Sequence, residues 1–168
     1  MGGVIFDLDQ TIVDSSIAEK FRNTGKWEQV YPLIRDFVLY PGVQGALVYL
    51  RQKGIPFAIV TSSPSKYCGK ITDHFDIICD NKVCYHDTTR RKPHPDPINL
   101  AIQRMGVDPG KILSLGDLPK DIQASKAAGA ISVACLWGSF NTAALRASEP
   151  HYIVERSEEL PDFLKRFF

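Results

Sequence analysis

The sequence predicts an α/β fold in which helices cover both faces of a parallel sheet, a three-layer, doubly wound arrangement. Short runs rich in Val, Ile and Leu alternate along the chain with segments that have the apolar period of a helix. These runs are continuously apolar, as in parallel strands buried on both faces. In open sheets of this kind, sites form at the carboxyl ends of the strands.

Six strands are predicted from these apolar runs. In chain order they are Gly2–Leu8, Pro56–Thr61, Phe75–Cys79, Lys111–Leu115, Ile131–Leu136 and Tyr152–Val154. The first is apolar throughout and is expected to be fully buried. The last is the shortest and is expected at an edge of the sheet.

Start and stop signals delimit the predicted helices. Proline is favoured in the first turn of a helix and glycine just past its end. On these signals the helices follow Pro41 and end before Gly54, span Pro95–Met105, span Pro119–Ala128, and close the chain over Glu158–Phe168. The last of these carries its apolar residues on one face and is expected to pack on the sheet.

Residues 15–41 interrupt the alternation of strands and helices. Their apolar residues have helical spacing, which indicates two helices joined at Gly25. An ordinary crossover needs only one helix, so the excess predicts a small helical cap insertion beside the end of the first strand. The whole chain, 1–168, is expected to form one domain that includes this insertion.

The composition bounds the function class. The chain has 168 residues, 44% hydrophobic and 23% charged, close to the globular average, which excludes disordered and collagen-like proteins. A formal net charge of +1 does not predict nucleic-acid or membrane binding. Four cysteines match no zinc spacing, and Cys135 lies in an apolar run that predicts burial. With no signal-peptide pattern, a reduced cytoplasmic protein is expected.

Acidic residues follow two of the predicted strands. Asp7 and Asp9 come at the end of the first, and Asp117 and Asp121 follow the fourth. Carboxylates that share a site repel one another and need a cation or a shared proton. Mg²⁺ prefers oxygen ligands and keeps several waters, so it would suit such a group.

Hydroxyl and ammonium groups follow the same pattern. Thr61 and Ser62 end the second strand, before Pro64, where hydroxyls and helix N–H groups suit an anion. Lys92 precedes a proline-rich helix start and can project a charge toward a phosphate. Each feature alone has a structural explanation, as a turn, a helix cap or a solvated charge. It is their joint placement at different strand ends that predicts a site.

The ordered motifs resemble those of the haloacid dehalogenase superfamily, on its phosphatase side. They are Asp7-Leu8-Asp9-Gln10-Thr11, the strand-terminal Thr61, Lys92-Pro93-His94-Pro95, and Gly116-Asp117 followed by Asp121. The proline-rich tract and Asp14-Ser15 are most similar to the phosphoglycolate phosphatase and β-phosphoglucomutase branch. The resemblance implies a Rossmann-like fold. Two departures stand out: Gln10 replaces a common glycine, and the insertion is shorter than that branch's usual cap.

The resemblance implies a Mg²⁺-dependent phosphatase that hydrolyses a phosphomonoester through a phospho-aspartate. Asp7 would be the nucleophile and Asp9 the proton shuttle. The implied metal ligands are the Asp7 and Asp117 carboxylates and the Asp9 backbone carbonyl. The implied phosphate-binding residues are Thr61, Ser62 and Lys92. Thr11 would steady the Asp9 loop, and Asp121 would orient Lys92 or a metal-bound water.

Two other functions share these residues. A phosphomutase of the β-phosphoglucomutase type would use the same chemistry while excluding water, which a short cap makes harder. A non-catalytic phosphate-binding regulatory module would keep the fold without catalysing a reaction. The expected partner is a small phosphorylated molecule, with no nucleic acid or membrane required. The sequence does not decide the oligomeric state or the roles of Arg90, Arg91 and His94.

Overall fold

The computed structural model describes residues 2–79 and 81–168, and its centre is a six-stranded sheet. Every neighbouring pair in this sheet is parallel, as predicted. A separate antiparallel ribbon pairs β2 with β3. The strands are β1 (Gly3–Phe6), β2 (Val13–Asp14), β3 (Val38–Leu39), β4 (Phe57–Val60), β5 (Asn81–Val83), β6 (Ile112–Gly116), β7 (Ile131–Cys135) and β8 (Tyr152–Val154).

Helices connect the strands. The α-helices are α1 (Glu19–Asn23), α2 (Trp27–Val30), α3 (Val43–Gln52), α4 (Ser65–His74), α5 (Asp96–Met105), α6 (Pro119–Ala127), α7 (Thr142–Ala147) and α8 (Leu160–Leu164). Short 3-10 turns occupy Ser16–Ala18, Tyr31–Asp36, Pro109–Lys111, Leu136–Gly138 and Ser157–Glu159. Among the described residues, no helix is long and apolar enough to cross a membrane.

Alternate residues of β1 face two separate hydrophobic clusters. Val4 and Phe6 join the cluster that contains α3, α4 and α8, whereas Ile5 joins the cluster formed with α5. Side chains of a strand point to opposite faces in turn, so helices must cover both faces to bury such a strand. The predicted three-layer, Rossmann-like α/β fold is therefore confirmed. Cys135 is fully buried, as its apolar surroundings predicted.

The strand order places a switch point beside β1. The order is β5-β4-β1-β6-β7-β8, so the chain winds outward from β1 through β4 to β5 and then returns to the other side of β1 at β6. Phe6 pairs with Leu115, which means that Asp7 and Gly116 leave adjacent strands at the same level. Crevices at such switch points are where ligands bind in open α/β sheets.

The insertion is built on the β2–β3 ribbon, from which α1 and α2 extend. Gly25 joins the two helices with a φ of 66°, a left-handed conformation that glycine adopts without strain. Val30, Ile34 and Phe37 are buried and anchor the segment to the main core. The helices and their joint lie where the sequence predicted. The ribbon was not predicted, because strands of two residues leave no periodic signal.

One predicted strand is wrong. Phe75–Cys79 does not pair in the sheet; it is the connection after α4, and the edge strand is β5, two residues further on. Two of the three residues in β5 are polar and only half buried, Asn81 and Lys82. An edge strand of this kind needs no continuous apolar run, so the apolar residues before it misled the assignment.

Candidate active site

Asp7 lies at the carboxyl end of β1, at the switch point. Its backbone N–H donates to the carbonyl oxygen of Leu115 at 2.9 Å, which ties the residue to β6. Its carboxylate lies 2.7 Å from the ammonium of Lys92. Burial, opposed by the charge of Lys92 and reinforced by that of Asp121, raises the pKa of Asp7 to about 6.

Lys92 is a buried cation with three oxygen partners. Its Nζ lies 2.7 Å from Asp7 Oδ1, 2.6 Å from Asp121 Oδ1 and 3.1 Å from the carbonyl oxygen of Val60. Burial alone would lower the pKa of Lys92, but the charges of Asp121 and Asp7 outweigh it and raise the pKa above its ordinary value. The ammonium is thus charged and fully satisfied.

Three carboxylates lie close together here, and two of them pair with the ammonium of Lys92. Asp7, Asp117 and Asp121 each offer an oxygen within 4.8 Å of the others. Burial, followed by the charges of Asp7 and Asp121, raises the pKa of Asp117 to about 9. The close approach depends on Gly116, because a Cβ there would overlap the side chain of Asp121. The cluster therefore holds three acids and one cation, which contacts Asp7 and Asp121.

The hydroxyl residues of the motifs lie around the same carboxylates. Thr11 Oγ1 donates to Asp117 Oδ1 at 3.3 Å, so the contact of this side chain is with Asp117. Thr61 Oγ1 accepts the backbone N–H of Ser63 at 3.1 Å, which shapes the turn after β4. Gln10 has a φ of 61°, a left-handed conformation that glycine adopts without strain.

Asp9 is held by four donors from different parts of the chain. Oδ1 accepts from Ser15 Oγ at 2.6 Å and from Tyr67 Oη at 2.5 Å. Oδ2 accepts from Ser63 Oγ at 3.2 Å and lies 3.4 Å from Nη1 of Arg22. None of these four contacts with Asp9 was predicted from the sequence.

Only one of these donors had a local signal. Asp14-Ser15 follows the first motif directly, whereas Tyr67 is 58 residues away from Asp9. Burial and the charge of Asp9 raise the pKa of Tyr67 above its ordinary value, so its hydroxyl keeps its proton and donates.

A cavity of about 220 Å³ opens onto Asp7. Predicted site residues and residues of the insertion line it together. The former are Asp7, Asp9, Thr61, Ser62 and Asp117; the latter are Glu19, Arg22, Asn23 and Trp27. Phe140, which is 63% exposed, also lines it. Thr11, Lys92 and Asp121 contact the lining carboxylates from the interior.

The sequence left the roles of Arg90, Arg91 and His94 open. None of the three lines the cavity, and each makes a contact near the loop before α5. Arg90 pairs with Asp96 at 2.8 Å, and His94 Nδ1 lies 3.2 Å from the same carboxylate. The guanidinium of Arg91 stacks over the ring of Tyr85 at 3.9 Å. These contacts organise the segment that leads from β5 to α5.

The donor set fits a divalent cation. Carboxylate oxygens are the ligands that Mg²⁺ prefers, and here three carboxylates face one ammonium. The pKa values of Asp7 and Asp117 are raised chiefly by burial and further by the charges of neighbouring acids, and a bound cation would favour the ionised form of both. Asp7 and Asp117 both line the cavity, which gives a cation and its waters access from solvent.

Stability in a chelator is therefore expected to fall as the pH rises. The pKa of Asp117 is 3.8 ordinarily and about 9 in the fold, so between these values the folded state holds a proton that the unfolded state has released. The free energy of unfolding thus decreases from about pH 4 to about pH 9. Mg²⁺ at a hundred times its Kd should restore about 2.7 kcal/mol at pH 8.

Urea unfolding at pH 5 and pH 8, with EDTA or with Mg²⁺, measures this effect. Asp117→Asn removes the titrating group, so its unfolding free energy should depend less on pH. A wild-type protein whose stability in EDTA rises from pH 5 to pH 8, or does not respond to Mg²⁺, would contradict the expectation.

The chain is similar to a known family and to known proteins. Residues 19–135 match the haloacid dehalogenase-like hydrolase family. A phosphoglycolate phosphatase of Escherichia coli K12 is 36% identical over 124 residues, which are 73% of this chain and 49% of that protein. The corresponding enzyme of Salmonella typhimurium LT2 is 34% identical over 125 residues, 73% of this chain and 50% of its own length. The chain thus spans about half the length of these relatives.

Solved structures show the same fold. A protein of Thermotoga maritima, provisionally described as a β-phosphoglucomutase, superposes with a TM-score of 0.82 at 20% identity over 100% of both chains. CbbY from Rhodobacter sphaeroides, solved with phosphate, superposes with a TM-score of 0.82 at 17% identity over 95% of this chain and 96% of that one.

Proposed function

The chain belongs to the haloacid dehalogenase-like hydrolase family, and from this premise we propose that it is a Mg²⁺-dependent phosphatase acting through a phospho-aspartate. One observation carries the proposal. Carboxylate oxygens of Asp7, Asp117 and Asp121 lie within 4.8 Å of one another, and Lys92 contacts two of them. Phosphoryl transfer asks a protein mainly for such positioning and charge neutralisation.

In the first step, a carboxylate oxygen of Asp7 attacks the phosphorus of a phosphomonoester. The bond from phosphorus to the ester oxygen breaks as the new bond to Asp7 forms. Asp9 gives its proton to the departing alkoxide, which leaves as an alcohol. Both carboxyl groups line the same cavity, which allows them to reach one substrate.

In the second step, water replaces Asp7 on the phosphorus. The ionised Asp9 takes a proton from the water as its oxygen bonds to phosphorus, and the bond to Asp7 breaks. Inorganic phosphate leaves, and both residues return to their starting states. The same carboxyl thus serves as acid and then as base.

Mg²⁺, when bound, supplies positive charge that offsets the negative charge of the phosphoryl oxygens. The carboxylates of Asp7 and Asp117 and the backbone carbonyl of Asp9 would hold it. Thr61, Ser62 and Lys92 would bind the phosphoryl oxygens. Two supports for these assignments are that Thr61 and Ser62 line the cavity with Asp7, and that the Lys92 ammonium contacts Asp7.

Two further residues, Thr11 and Asp121, would orient these groups from the protein interior. Thr11 contacts Asp117, so it would orient that carboxylate. Asp121 pairs with the ammonium of Lys92 through Oδ1 and accepts the backbone N–H of Leu118 at Oδ2, so it would aim the ammonium. Neither side chain lines the cavity.

The substrate class follows from the size and lining of the cavity. About 220 Å³ suits a small phosphorylated metabolite, and the insertion contributes residues to the walls as a reduced cap would. We take the whole chain as one hydrolase domain with this insertion. Because the curated relatives are named for phosphoglycolate, that compound is the first substrate to test.

Phosphate release by the purified chain tests the proposal. We expect release from phosphoglycolate or another small phosphomonoester with Mg²⁺ and none with excess EDTA. Activity that persists in EDTA would contradict the metal requirement. If none of these phosphomonoesters releases phosphate but inorganic phosphate still binds, a non-catalytic module is favoured.

The phosphomutase remains the second candidate, because a structure of that description superposes over its full length. Incubation with a sugar phosphate distinguishes the two functions by product. Free phosphate supports the phosphatase, and an isomerised sugar phosphate supports the mutase. The short insertion favours water entry and therefore release.

The dependence of the rate on the leaving group tests whether Asp9 acts as a general acid. Asp9→Asn should lower kcat/KM for an alkyl phosphate, which reports formation of the phospho-enzyme, by about 10² to 10⁴, because the alkoxide then departs without a proton. The loss for p-nitrophenyl phosphate should be smaller, since its leaving group needs no acid. Steady-state kinetics on both substrates measures this, with the exposed Asp73→Asn as control. Equal losses would contradict the acid role.

A further inference from the structure

The two oxygens of Asp9 contact different classes of donor. Oδ2 contacts Ser63 and Arg22, both of which line the cavity. Oδ1 accepts from Ser15 and Tyr67, which are fully buried and do not line it. Interior donors therefore occupy one oxygen, and the other is turned toward the space a substrate would fill.

Tyr67 makes the shortest of these contacts, at 2.5 Å. It lies in the first turn of α4, and no part of its side chain is exposed. A carboxyl group rotates about its last side-chain torsion with little hindrance. Two donors on the same oxygen oppose this rotation and keep the second oxygen in the cavity.

The ring of Tyr67 is packed against the insertion. Trp27 lies 5.2 Å from it between centroids, and Phe37 lies at 6.5 Å in an edge contact. Aromatic pairs at such distances prefer tilted or edge-on geometry and stabilise the position of each ring. The insertion thus reaches Asp9 through a side chain of α4.

We propose that Tyr67 is a positioning residue for Asp9, and that the insertion holds it in place through Trp27. This inference rests on the proposed function. The hydroxyl fixes Oδ1, so that Oδ2 meets the ester oxygen of the substrate. Proton transfer depends steeply on such geometry.

Tyr67→Phe tests this contact with little change in packing, because the ring that meets Trp27 remains. We expect kcat/KM for an alkyl phosphate, which reports formation of the phospho-enzyme, to fall about tenfold, because one hydrogen bond to the carboxylate that forms as Asp9 gives up its proton is lost. We expect kcat/KM for p-nitrophenyl phosphate to change less than about twofold, because its leaving group departs without a proton.

A double-mutant cycle tests the part played by the insertion. Trp27→Phe should also lower the ratio of the alkyl to the nitrophenyl rate, by a smaller factor. In the Tyr67→Phe background the same change should leave that ratio unaltered, because the hydroxyl through which Trp27 acts is gone. Additive losses would overturn the coupling through Tyr67.

Tyr49→Phe is the matched control. Its hydroxyl donates to the backbone carbonyl of Phe168 at 2.8 Å, and its loss should leave the rate ratio unchanged. If Tyr67→Phe lowers the rates for both substrates equally, or lowers neither rate, the positioning role is wrong. A wild-type protein that releases no phosphate from either substrate overturns the proposed function itself, and this inference with it.

Discussion

Asp7→Asn is expected to abolish phosphate release, with a loss of about 10⁴-fold or more, as when a catalytic nucleophile is removed. An amide is not nucleophilic toward phosphorus at neutral pH, so no phospho-enzyme forms. The amide oxygen can still accept from Lys92, which lies 2.7 Å from the present carboxylate. The variant should therefore fold.

The stability of Asp7→Asn distinguishes a loss of catalysis from a loss of folding. One buried negative charge is lost beside Asp117 and Asp121, so in EDTA at pH 8 the variant should unfold at an equal or higher urea concentration than the wild type. Phosphate release and urea unfolding measure the two effects. Asp36→Asn is the control, because Asp36 is exposed and pairs with its neighbour Arg35. Turnover near the wild-type rate in Asp7→Asn would refute the nucleophile.

Lys92→Met is expected to cost both activity and stability. The ammonium contacts Asp7 and Asp121, and its removal leaves buried carboxylates without their cation. Breaking a buried ion pair by removing one partner costs about 3–5 kcal/mol. Turnover should be lost as well, because the charge that would bind the phosphoryl group is gone.

Urea unfolding at pH 5 and pH 8 measures the stability of this variant. The loss should be smaller at pH 5, where Asp7, with a pKa of about 6, and Asp117, with a pKa of about 9, hold protons. Lys53→Met is the control at an exposed lysine. A variant as stable as the wild type at pH 8 would contradict the account of Lys92 as the cation of this cluster.

The motif residues at the strand ends could be predicted because their signals are local. Asp7, Thr61 and Asp117 each follow an apolar run, and a run of that kind predicts a buried strand from a few neighbours. Parallel strands bring their carboxyl ends to one edge, so the sequence also predicted that these residues meet. The failure at Phe75–Cys79 has the same origin, since an edge strand carries no such run.

The surroundings of Asp9 could not be predicted in this way. Tyr67 and Arg22 belong to different helices, and nothing in their neighbourhoods distinguishes them from packing or surface residues. Their meeting depends on how α4 and the insertion are oriented on the sheet. That orientation comes from many side-chain contacts, including Trp27 and Phe37 on the Tyr67 ring.

By itself, the sequence determined the class of fold and the positions of its main strands along the chain. It also determined the group of acids, hydroxyls and lysine at one edge of the sheet. These follow from patterns of period 2 and 3.6 and from residues adjacent to them. The tertiary structure alone decided that β1 and β6 are neighbours at a switch point, that Lys92 lies between Asp7 and Asp121, and which donors hold Asp9. Contacts between residues far apart in the chain arise from packing, which local patterns do not encode.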